Sequence, residues 1–85
     1  MAKFDAIIQQ FLKTVENQLK ANKPIETRQT LERLKGLGYT EQEAKKLIAQ
    51  CVASEMFQVM ESNEPYNEER YVALLKKLPE SPEIK

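Results

Sequence analysis

The chain predicts an all-α fold, a compact bundle of four helices at about residues 3–21, 25–35, 41–62 and 67–78 joined by short loops. Three observations carry this expectation. Apolar residues recur at steps of three and four, no alternating strand pattern competes with them, and turn-forming stretches at Asn22-Lys23-Pro24, Gly36-Leu37-Gly38 and Ser62-Asn63-Glu64-Pro65 separate the periodic runs.

The first helix rests on Phe4, Ile7, Ile8, Phe11, Leu12, Val15 and Leu19, which place one apolar stripe along it. Pro24 disfavours helical geometry at Lys23 and suits the opening of the next helix, where Ile25, Leu31 and Leu34 mark a shorter amphipathic run. Gly36 and Gly38 can end that run by taking left-handed backbone angles. Thr40 then reads as an N-cap, with Glu43 three residues on completing a capping box and Tyr39 placed to staple onto Ala44. Nothing breaks the third helix before Ser62. Asn67 caps the fourth, whose first turn carries Glu68 and Glu69 against the helix dipole, with Tyr66 placed to staple onto Tyr71. Tyr71, Leu74, Leu75 and Leu78 form its inner face, and Pro79 stops it. Residues 1–78 therefore read as one domain, and residues 79–85 as a disordered tail without apolar content to pack.

The third helix does not keep one face. Ala44, Leu47, Ile48, Cys51 and Val52 share an arc, whereas Met56, Phe57 and Met60 move progressively round the side and Glu55 falls inside or beside the first stripe. A carboxylate there needs solvent or a partner. Either the neighbouring helices cover the two halves separately, or part of the second half is an interface, for which methionine and phenylalanine are suited.

Composition narrows the function. Hydrophobic residues are 41% of the chain and charged residues 31%, the balance of a folded domain rather than a disordered one. At 85 residues the chain buries only roughly 60–65% of its unfolded surface, so its core is small. Thirteen basic residues offset thirteen acidic ones, and this zero net charge supplies no long-range attraction to phosphate backbones or anionic lipid. A single cysteine, Cys51, permits no internal disulfide, the start Met1-Ala2-Lys3-Phe4 lacks the apolar stretch of a secretion signal, and no run approaches a spanning segment. A cytoplasmic protein without a membrane association is expected.

Catalysis is not expected either. Histidine is absent, which removes the commonest general base and metal ligand. Cys51 lies mid-helix on the apolar side, where a thiolate has no support. Glu41, Glu43, Glu64, Glu68 and Glu69 follow no calcium-loop spacing and mostly mark helix starts, and Gly36-Leu37-Gly38 joins two helices without the preceding strand of a phosphate loop. No cofactor or metal is expected. A helix-turn-helix reading of the glycine corner would present Glu41, Gln42 and Glu43 to the DNA, where phosphates repel them. Nucleic acid is not expected as a partner.

Two resemblances bear on these residues. Glu26-Thr27, Leu31-Glu32-Arg33-Leu34, Gly38-Tyr39-Thr40, Glu43-Ala44, Leu47-Ile48-Ala49, Glu55-Met56-Phe57 and Pro65-Tyr66-Asn67-Glu68-Glu69-Arg70-Tyr71 resemble a pattern of bacterial small helical proteins without an established activity. Asn67 stands where that pattern more usually has aspartate. The likeness spans about residues 26–78 and implies a bacterial, cytoplasmic setting. Leu37-Gly38-Tyr39 with Thr40 and Glu43-Ala44 is similar to the Met-Gly-Phe/Tyr loop of ubiquitin-associated domains, with Leu74-Leu75 in the place of that family's dileucine. This likeness covers about a dozen residues, and the intervening helix is about twice the family's length. It implies a module that grips a partner through Leu37, Gly38, Tyr39, Leu74 and Leu75. The residues themselves favour a non-catalytic interaction protein that meets a protein partner, or a second copy of itself as a homodimer, through Met56, Phe57 and Met60.

Overall fold

The computed structural model describes residues 2–80, with side chains from Ile8 onward. Four helices follow in order, α1 (Ala2–Ala21), α2 (Ile25–Gly36), α3 (Glu41–Ser62) and α4 (Glu68–Lys77). The expected tail beyond Glu80 lies outside the described residues. No strand occurs among those that are described, and none of their helices is long and apolar enough to cross a membrane.

Each corner is built by a named backbone device. Asn22 takes φ 53°, and the amides of Lys23 and Asn22 return to the carbonyls of Gln18 and Leu19 at 3.1 and 3.4 Å, the paired bonds of a Schellman ending. Gly38, at φ 108°, repeats it, with Tyr39 N–H on the Leu34 carbonyl and Gly38 N–H on that of Lys35. Gly36 does not share this left-handed geometry as the sequence reading allowed. It is the last helical residue of α2, followed by Leu37 in right-handed geometry, so only Gly38 stands where the chain reverses. Asn63, at φ 58°, closes α3 through its amide on the Val59 carbonyl. Pro24 stands at the N-cap of α2 rather than inside its first turn.

The two remaining helix starts differ instructively. At α3 the capping box is local: Thr40 Oγ1 accepts from Glu43 N–H at 3.1 Å while Glu43 Oε1 accepts from Thr40 N–H at 2.9 Å. At α4 Asn67 Oδ1 accepts from Arg70 N–H, but residue 70 is an arginine and has no acceptor to return. Glu55 of α3 supplies it, accepting from Asn67 N–H at 3.0 Å and from Arg70 Nε and Nη2 at 2.9 and 2.7 Å. The capping box of α4 is thus completed from another helix. This is why a carboxylate that is only 1% exposed is tolerated, since every oxygen has a partner.

Helix ends are tied the same way elsewhere. Arg28 Nη2 donates to the Leu19 carbonyl at the end of α1, and Arg33 donates to the carbonyls of Leu75 and Leu78 at the end of α4. Cations there suit the negative ends of both helix dipoles. The core joins Val15 of α1, Leu34 of α2, Ile48, Ala49 and Cys51 of α3, and Tyr71, Leu75 and Leu78. Lys45, near the start of α3, meets Glu16, near the end of α1, at 3.8 Å. α3 packs on all three other helices and α2 on both α1 and α4. Among the described residues the backbones of α1 and α4 do not come close to one another, and the two helices meet through the side chains of Gln18 and Tyr71.

Candidate binding surface

The separation of the α1 and α4 backbones leaves a groove of about 350 Å³. One wall is a stripe of α1, Phe11, Thr14 and Gln18, spaced at three and four residues and so stacked along one side of the helix. The opposite wall is Tyr66, Glu68 and Tyr71, and Lys23 and Pro24 close one end. Val52 and Met56 of α3 form the floor. Met60, one turn further on, continues their line at the same four-residue step, and exposure rises along it from 6% at Val52 through half-buried Met56 to 75% at Met60.

At its inner end the groove is spanned by polar atoms. Gln18 Oε1 accepts from Tyr71 Oη at 2.7 Å and from Thr27 Oγ1 at 2.8 Å, joining α1, α2 and α4 through groups that are themselves buried or nearly so. Burial pushes the Tyr71 hydroxyl well above its ordinary range, and it stays a donor. Tyr66 is raised by burial and by the carboxylates of Glu68 and Glu55, while its ring lies 6.3 Å from that of Tyr71 as the expected staple. Burial also pushes the Cys51 thiol up to about 12, so the sulfur packs as an apolar atom rather than serving as a nucleophile. No cluster of three metal-ligating side chains occurs among the described residues.

The residues singled out from the sequence divide between surface and core. Met56 is half-buried in the groove, whereas half-buried Phe57 and exposed Met60 do not line it. In the other set Leu37 is 59% exposed and Gly38 is open to solvent, whereas Tyr39 and Leu74 pack partly against the core. Leu75 is fully buried and cannot form a docking edge, because Arg33 fastens the α4 terminus onto α2 and turns that face inward. Phe11, Gln18 and Tyr66 belong to the groove and were not anticipated. Phe11 packs partly against the core as part of the apolar stripe of α1, and its other side, in step with Thr14 and Gln18, lines the groove.

The charge is unevenly placed despite its zero sum. Residues 47–75 contain five acidic side chains, Glu55, Glu61, Glu64, Glu68 and Glu69, and one basic one, Arg70. Arg70 is committed to Glu55 and Glu64. The α3–α4 corner, which gives Tyr66 and Glu68 to the groove, therefore carries an acidic excess.

The fold and this surface define a small all-α bundle with a half-open apolar groove between α1 and α4. No family model, curated protein or solved structure matches the chain.

Proposed function

We propose that this protein is a non-catalytic interaction module that receives an apolar element of a protein partner in the groove between α1 and α4. The observation that carries this reading is the Val52–Met56–Met60 line, an apolar stripe that begins in the core and emerges uncovered. Side chains of α3 are covered by α1 on one side and α4 on the other, and where those two helices part the stripe has no cover of its own. Methionine suits such a place because its flexible thioether adapts to the shape of an incoming surface. The pocket falls at the lower end of the range of volumes that enclose ligands, and it is open along its length, which favours a side-chain ridge over a freely diffusing molecule.

The exposed Leu37 supports a second, smaller reading in which the Gly38 loop makes the contact. Of the loop's proposed companions Leu75 lies in the core, so this reading stands on Leu37 with the partly covered Tyr39 and Leu74.

A benzophenone side chain placed at position 60 and, in a second variant, at position 37, with a control at Glu32 on the exposed face of α2, distinguishes these surfaces. The groove reading expects one discrete photo-adduct from position 60 that vanishes when Phe11→Lys is added. The same faint ladder from both positions would contradict it, and a discrete adduct from position 37 alone would transfer the function to the loop.

A further inference from the structure

We infer that the occupant of the groove is a cationic amphipathic helix of a different protein, seated with its apolar ridge on the Val52–Met56–Met60 line and its basic side chains beside the acidic α3–α4 corner. The inference rests on the groove being the interaction surface and names the chemistry of what enters it.

A helix is indicated by the shape of the site. The α1 wall from Phe11 to Gln18 rises about 10 Å, close to two helical turns, and the floor repeats every four residues, so a ridge of side chains at matching steps can interdigitate with it. An extended peptide would leave its backbone amides unpaired there, because the described residues contain no strand edge to complete them.

The charge of the partner follows from the carboxylates of this corner. Glu61 adjoins Met60, Glu68 lines the groove itself, and Glu64 stands two residues from Tyr66; Arg70, the one cation of residues 47–75, is already paired, and Lys23 is the cation that lines the groove, beside Pro24. Lysine or arginine flanking the apolar ridge of an incoming helix would find these groups, and an acidic helix or an anionic bilayer would be repelled by them. The same charges weigh against a second copy of the chain. A two-fold pairing sets a patch against itself, so the Met60 stripes could meet only by bringing the acidic corners of both copies together.

Fluorescence anisotropy with two labelled probes tests this. One is a leucine–lysine amphipathic peptide of about four helical turns, and the other is its leucine–glutamate counterpart. The wild-type protein is expected to bind the lysine probe saturably and the glutamate probe not at all. Met60→Lys should weaken the lysine probe about tenfold or more, and Glu61→Gln with Glu68→Gln should weaken it several-fold while flattening its salt dependence. Circular dichroism confirms that each variant keeps its helices.

Binding of the glutamate probe that is equally sensitive to Met60→Lys would overturn the cationic partner and leave the groove in place. Binding of the lysine probe that ignores both Met60→Lys and Phe11→Lys would be diffuse attraction to surface charge and would overturn the inference. Failure of both probes to bind, with the protein sedimenting as a monomer, would also overturn it, and the photo-adduct experiment would then judge the groove separately. A wild-type dimer that Met60→Lys dissociates would replace the cationic helix by a second copy.

Discussion

Single side chains decide how each helix begins and ends, and these are the most directly testable features. Thr40→Ala leaves a helix-start amide without its acceptor and should cost about 1 kcal/mol in urea melts. Gly38→Ala should cost more than a mid-helix change of the same kind, because φ 108° is strained for any residue with a Cβ, even though the space around that atom is open. Glu55 adds a pH dependence. Hydrogen bonding from Arg70 and from the Asn67 amide holds its carboxyl below the ordinary carboxylate value despite the opposing effect of burial. Its contribution is therefore fully present above the unfolded value near 4.5 and is lost as the pH falls through the lowered folded one. Glu55→Gln should cost about 2 kcal/mol at neutral pH and much less at pH about 3, as read from urea midpoints at the two pH values. The Thr40–Glu43 box and the Asn67 cap were legible because their partners lie three residues apart. That Glu55 needed a partner was legible as well. The identity of that partner was not, since it depends on how α4 folds back across α3, fifteen residues away.

At the scale of the elements, α4 is fastened chiefly by polar groups at its two ends and by Tyr71, Leu75 and Leu78 between them. Tyr71→Phe removes the hydrogen bond that joins α4 to Gln18 of α1 across the inner end of the groove. It should lower stability by about 1 kcal/mol and speed amide exchange in α4 before that of α3. Cys51, in the middle of α3, should resist iodoacetamide at neutral pH in the folded protein and react once urea unfolds it, because burial withholds the thiolate. Rapid labelling of the native protein would show that α3 opens locally. Helix number, order and approximate bounds could be read from periodicity because each helix has a stripe of its own. The swing of the α3 stripe was legible too, from the positions of Met56, Phe57 and Met60. Its cause was not, since it lies in a pair of helices whose backbones stand apart, and periodicity records which side of a helix is apolar without recording what covers it.

In the whole molecule, two of the helices, α2 and α3, hold the other two apart, and the surface between them is the consequence. The acidic corner could have been read from the lack of lysine between residues 47 and 75, but a net charge of zero conceals a segregation of charge. Phe11 and Tyr66 join the surface only through the tertiary arrangement, which is why no local pattern pointed to them. The central claim is that Met60 is uncovered in the free protein and becomes covered when the groove is filled. Methyl-labelled methionine gives one signal each for Met56 and Met60, assigned with Met56→Leu and Met60→Leu, and a soluble gadolinium chelate broadens them according to their exposure. Met60 should broaden strongly and Met56 more weakly in the free protein, with both signals protected when the leucine–lysine peptide is bound. A Met60 signal already protected in the free protein, or one equally broadened at saturation, would contradict it.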